Sequence, residues 1–291
     1  MEFGFTTAAY VVAAVLFILA LGGLKNQESA KRAIWYGIVG MALAVVATLM
    51  GPGAGLWILS LLLIAGGAVI GIQLANRVQM TQMPELVAAM HSLVGLAAVF
   101  VGLNAHIEIG RVAAAYAEAG LPFPQLDYGT LTGPAKEVAD GFRGFASIVA
   151  KKTGVEINIL RVELVLGIWI GAVTFTGSVI AYAKLAGGSS LLPFQVDTAA
   201  KKLPGGHLLN IAAAAISAIC LIWYLMSGGT LPLFLLTLAG LFIGFHLIMG
   251  IGGADMPVVV SMLNSYSGWA AAAIGFSLGN DQIGRASCRE R

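Results

Sequence analysis

Apolar residues in this chain neither alternate along strands nor keep to one stripe of a helix. They come in long blocks at about 5–23, 34–50, 55–76, 84–104, 161–184, 207–227, 231–250 and 257–279. A bilayer core takes roughly 20 apolar residues in helical form. Helices suit that environment because every backbone group is satisfied within the segment. Ten-residue segments of alternating polarity, which a membrane barrel needs, are absent. The pattern predicts an all-α protein, a polytopic transmembrane bundle of about eight helices. Gly51-Pro52-Gly53 closes the second block and Ser227-Gly228-Gly229 the sixth.

Composition narrows the class. Of 291 residues, 58% are hydrophobic and 10% charged. A soluble domain carries about 25% charged residues, so this chain has too little charge to cover a water-facing surface. Its net charge of +2, with no basic stripe, gives no sign of a nucleic-acid partner. Cys220 and Cys288 have no metal-ligand or CxxC spacing, so no metal is expected, and Cys220 reads as a small hydrophobe. The first block has no basic stretch before it and is followed by further spans, unlike a cleaved signal peptide.

Lys and Arg in short loops set orientation. Lys25, Lys31 and Arg32 follow the first span, Arg77 the third, and Lys184, Lys201 and Lys202 the fifth. The N-terminus is therefore expected outside, with the loops after the first, third, fifth and seventh helices in the cytoplasm. Residues 105–160 are expected to form an external loop insert, with one or two short helices near 134–152 acting as a cap. Residues 1–281 are taken as one membrane domain. Residues 282–291, polar and rich in arginine, are expected to be an appended tail foreign to the native sequence.

Polar groups at membrane depth are costly and mark function by default. His91 lies seven residues beyond Pro84, about 10 Å into its helix. Histidine changes charge near neutrality, as a proton carrier must. A structural imidazole bonding neighbouring helices is the competing reading. Met83-Pro84, followed by Val87, His91, Ser92 and Gly95, matches the spacing of Met256-Pro257, followed by Val260, Asn264, Ser265 and Gly268. His91 and Asn264 are thus expected at equal depth. Asp255, after Gly252-Gly253, is either an ordinary helix N-cap or a charged hinge at the helix mouth. Glu85, Ser92, Ser265 and His246 are secondary candidates. Thr174, Thr176 and Ser178 read as interhelical glue, and Gly167, Gly171 and Gly177 as close-packing positions. His106 and His207 are expected at helix edges, and Glu163 at the interface.

No GxGxxG, GxxxxGK[ST] or HExxH motif is present. From residues alone the chain is a channel, a transporter or a pump component, and a secondary transporter or channel for a small solute is the alternative carried forward.

Three blocks resemble the beta subunit of proton-translocating NAD(P) transhydrogenases. They run from Met83-Pro84-Glu85-Leu86-Val87 through His91 to Leu96, from Gly167 to Ser178 through Val173-Thr174-Phe175-Thr176-Gly177, and from Gly252 to Trp269 through Asp255-Met256-Pro257 and Asn264-Ser265-Tyr266-Ser267. Weaker similarity covers most of 1–281. The resemblance implies a bacterial inner-membrane translocase that couples proton movement to hydride transfer between NADH and NADP⁺. It implies that NAD(H) and NADP(H) bind other domains, with no cofactor on this chain. It implies alpha subunits, an NADP-binding domain and a dimer of the whole complex as partners. By motif position it implies that His91 is the membrane histidine, Asn264 its polar partner and Asp255 the residue communicating with the NADP-binding domain. That domain and a last membrane helix are missing here, so this chain by itself is not expected to catalyse hydride transfer.

Overall fold

The computed structural model describes residues 2–50, 57–124, 133–187, 198–201 and 205–278. All regular elements among them are helical: α1 (Glu2–Gly23), α2 (Gln27–Met50), α3 (Trp57–Arg77), α4 (Met83–Glu118), α5 (Pro134–Gly141), α6 (Phe145–Ala150), α7 (Gly154–Leu185), α8 (Gly206–Ser227), α9 (Thr230–Met249) and α10 (Met256–Ser277). One-turn 3-10 helices, Met80–Gln82 and Gly253–Asp255, lead into α4 and α10.

Six of these helices are long and apolar enough to cross a membrane: α2, α3, α4, α7, α8 and α9. The apolar stretch of α1 is shorter, Ala8–Gly23. α10 has 22 residues but is diluted by Ser261, Asn264, Ser265 and Ser267. The polar residues that make α10 a functional candidate are the ones that weaken its apolar signal.

The chain divides into two compact units, residues 1–76 with 140–147, and 77–139 with 148–291. In the first, α1 and α2 form a hairpin. A Cβ on Gly40 would lie 3.3 Å from the Ala13 carbonyl oxygen and 3.2 Å from Leu16, so glycine lets the two backbones close. The Tyr10 hydroxyl and Thr48 Oγ1 pair at 2.8 Å. Ser29 donates to the Gly23 carbonyl at 2.5 Å, satisfying one orphan acceptor at the end of α1. No residue in the apolar stretch of α3 is buried.

The second unit is built around α7. Its face buries Leu164, Ile168, Gly171, Ala172, Thr174, Ser178 and Ala181 against α4, α9 and α10. Thr153 starts it with a capping box: its Oγ1 accepts from Glu156 N at 3.4 Å, and Glu156 Oε2 accepts from Thr153 N at 2.7 Å. Gly228 ends α8 at φ +62°, a left-handed cap that glycine adopts freely. Ala88 of α4, Ile180 and Ala181 of α7, Ile248 of α9, and Met256, Val259 and Leu263 of α10 form one apolar cluster at one end of this unit. The starts of α4 and α10 and the last turns of α7 and α9 therefore share an end, as the sidedness of the loops requires.

The expected insert at 105–160 is corrected. α4 continues to Glu118 and α7 begins at Gly154, so the connection spans only 119–153. The charges at Glu108 and Arg111 end an apolar block without ending a helix, and the alanines there favour helix. α4 is 36 residues long, about 54 Å at 1.5 Å per residue, against a hydrocarbon layer of roughly 30 Å. It must project well beyond the bilayer. The short helices expected near 134–152 are α5 and α6. Tyr116, fully buried, donates to the Ala150 carbonyl at 3.1 Å and ties the connection to the projecting helix. Gly51-Pro52-Gly53 and the tail at 282–291 lie outside the described residues.

Candidate functional site

The two Met-Pro motifs fold alike. Gln79 (φ −81°, ψ 157°) leads into Met80–Gln82, and Gly252 (φ −74°, ψ 157°) into Gly253–Asp255. Gln82 then sits at φ −93°, ψ 0° and Asp255 at φ −92°, ψ 0°, each as the N-cap of a helix with proline in its first turn. The proline has no N–H to leave unsatisfied there, and its fixed φ suits the helix. His91 and Asn264 thus stand at the same number of residues from equivalent starts, on helices that pack side by side.

They do not pair through their side chains. His91 is half-buried and its Nδ1 lies 3.4 Å from Ser267 Oγ, a long hydrogen bond. Ser267 also donates to the Asn264 carbonyl at 2.8 Å. Asn264 itself is exposed on this chain, one turn back along α10. Its backbone, not its amide, joins the histidine's hydrogen-bond chain. A hydroxyl has one proton. While Ser267 gives it to the Asn264 carbonyl, it can only accept from a protonated Nδ1. When it turns to His91, Nδ1 can be bare. Ser267 therefore serves both protonation states of the ring.

Ser267 was the residue that motif reading passed over. It sits one turn beyond Asn264, and only the rotation of α10 against α4 brings it to His91. Ser92 is buried and bonds back to Ala89 O at 2.7 Å, within its own helix. Glu85 and Ser265 are half-buried.

Close approach of α4 and α7 fixes the height of His91. One turn above it, a Cβ on Gly95 would come 2.7 Å from both Gly171 O and Phe175 N, and one on Gly171 would come 2.8 Å from Gly95 O. Gly167 is crowded by the Ile274 side chain, 2.6 Å from an added Cβ, and Gly177 less tightly by Leu263 at 3.1 Å, so all three glycines sit at close helix contacts. The hydroxyls of α7 divide. Thr176 crosses to the Leu241 carbonyl at 2.8 Å, Thr174 bonds back to Ile170 O, and Ser178 Oγ is buried without a hydrogen-bond partner among the described residues. Ser178 follows Gly171 by seven residues and shares its face toward α4.

Asp255 is exposed and its carboxylate makes no capping hydrogen bond. The side chain best suited to an N-cap is not used as one. His246 is not brought to His91. It is 7% exposed, with Nδ1 2.8 Å from Asn210 Oδ1 of α8, its ring stacked on Phe242, and Nε2 without a partner among the described residues. His106, expected at a helix edge, lies within α4 and is tied to Tyr224 OH at 2.9 Å and Thr230 Oγ1 at 3.2 Å, where α8 ends and α9 begins. Among the described residues no three His, Cys, Asp or Glu side chains gather to hold a metal ion.

The family model described as NAD(P) transhydrogenase beta subunit matches residues 6–284. Two Rhodospirillum rubrum proteins named NAD(P) transhydrogenase subunit beta are each 40% identical over 280 residues, covering 96% of this chain. The chain spans about half the length of these relatives, 51% in each case. A match that runs through α1 to α10 and includes both Met-Pro motifs places the chain in the family of NAD(P) transhydrogenase beta subunits.

Proposed function

We propose that this chain is the proton-conducting membrane domain of an NAD(P) transhydrogenase. Hydride transfer between NADH and NADP⁺ takes place on separate soluble domains that bind NAD(H) and NADP(H), and this chain couples it to proton translocation. The partners are the alpha subunit or subunits and the NADP-binding domain, in a dimer of the whole complex. The setting is the inner membrane of a bacterium, with the loops after α1, α3, α7 and α9 in the cytoplasm.

One observation carries the reading: a titratable ring, His91, joined to a neighbouring helix through a hydroxyl that can serve either protonation state. The hydroxyl of Ser178, on the α7 face toward α4 and without a partner among the described residues, supports a polar path there, because a buried polar group without a partner is costly unless something bonds to it. Asp255 supports coupling, since an exposed carboxylate at the start of α10 can meet a docked soluble domain. Its contact would bias the α4–α10 pair between two arrangements, each giving His91 access to one side. A domain can shift that balance only by binding the two arrangements unequally. His246, bonded to Asn210 of α8, stands outside the hydrogen-bond chain of His91 and Ser267.

The test is proton uptake driven by NADPH–NAD⁺ exchange, in liposomes holding the full-length parent with its partner subunits. His91→Ala is expected to abolish proton movement while the complex still assembles. A His91→Ala complex that pumps like the parent overturns the reading.

A further inference from the structure

Lys184 is 2% exposed, the most deeply buried cation among the described residues. It closes α7, and its ammonium donates to three carbonyls: Met249 at 2.8 Å, Ile251 at 2.5 Å and Ala199 at 3.4 Å. An ammonium carries three N–H donors. Met249 is the last residue of α9, so the charge also sits at the negative end of that helix. Ile251 belongs to the turn between α9 and α10, the turn that ends in Asp255, and Met249 leads into it. The third belongs to the segment before α8, and that segment makes its own bonds to the same turn. Gly253 N donates to Thr198 O at 2.9 Å, and Lys201 N to Met249 O at 3.1 Å.

A turn containing Gly250, Gly252 and Gly253 has little stiffness of its own. Here its stiffness is borrowed from α7. We infer that Lys184 is the positioning residue for Asp255: it locks the glycine turn to α7, the helix on which α4 and its His91 also pack, so that movement of Asp255 is passed to the helix core and not lost in the turn. Lys184 touches neither His91 nor a nucleotide and acts through that turn alone. The inference rests on the coupling role proposed for Asp255.

The experiment uses the full-length parent enzyme with its partner subunits, and compares Lys184→Met, Lys184→Gln and Asp255→Asn with the parent. Two quantities are read: protons moved per hydride transferred in liposomes, and hydrogen exchange of peptides covering 250–256 with and without NADPH. Lys184→Met is expected to lower the proton-to-hydride ratio about tenfold, the effect of losing hydrogen bonds to a charged donor. It should also speed exchange in 250–256 and erase its dependence on NADPH. A role confined to folding would lower the yield of assembled enzyme and leave the ratio unchanged. Lys184→Gln keeps donors without charge and carries the test if the Met variant fails to assemble, with the same direction expected. A parental ratio in either assembled Lys184 variant overturns the inference. A parental ratio in Asp255→Asn overturns the coupling role of Asp255 instead, which keeps the two failures distinct.

Discussion

At the residue scale the chemistry is held by a few groups within reach of one ring. His91 Nδ1 faces a hydroxyl that is already committed to a backbone carbonyl, so loss or gain of a proton at Nδ1 requires Ser267 to turn. Removing that hydroxyl should slow the ring without unfolding the helix. Ser267→Ala is expected to reduce proton movement about fivefold, the equivalent of one hydrogen bond worth about 1 kcal/mol, with assembly unchanged. Liposome proton uptake at equal protein loading measures it, and an unaltered rate would leave Ser267 a packing residue. Which residues matter here was only partly legible. His91, Asn264 and Asp255 stand out because each is polar in or beside an apolar block. Ser267 does not, because serine is common in helices and its importance comes from the angle at which α10 meets α4.

At the element scale the working unit is the α4–α7 crossing. Glycine faces glycine at Gly95 and Gly171, and each added Cβ would meet backbone, which cannot swing aside as a long side chain can. Gly171→Ala is therefore expected to cost about 1–3 kcal/mol, as overpacking does, and to lower the thermal unfolding midpoint of the detergent-purified enzyme. A midpoint equal to the parent's would mean that α4 can shift away freely, and that the crossing does not fix His91. The lengths of α4 and α7 were the part of the fold that apolar patterning could not supply. Hydropathy reports where lipid ends, whereas a helix ends where its hydrogen-bond ladder is capped. Thr153 with Glu156 starts α7 well outside the apolar block, and α4 runs through Glu108 and Arg111 to Glu118.

At the scale of the whole molecule, the second unit has two chemically distinct ends. One gathers the starts of α4 and α10, Lys184 and Asp255. The other gathers His106, Tyr224 and Thr230, and beyond it the projecting part of α4. Met80, 89% exposed, and Glu118 mark the opposite ends of the α4 region. In a parent enzyme with its cysteines replaced, Met80→Cys should react with a membrane-impermeant maleimide from the cytoplasmic side alone, and Glu118→Cys from the outer side alone. Labelling of both from one side would remove the sidedness on which the pump reading depends.

The sequence by itself determined the class, the number and rough position of the long helices, and the repeated Met-Pro starts. These follow from local rules: apolar length against bilayer thickness, and proline and glycine against helix geometry. It also marked His91, Asn264 and Asp255, since a polar residue at depth is conspicuous without any structure. Only the tertiary structure decided which of them meet. It put Ser267 against His91, left the Asn264 side chain outside that contact, sent His246 to Asn210, and turned Lys184 from a loop charge into a buried tie. Such pairings depend on how helices rotate and cross, which is set by glycine contacts between residues far apart in the chain, and no spacing along one helix records the rotation of another.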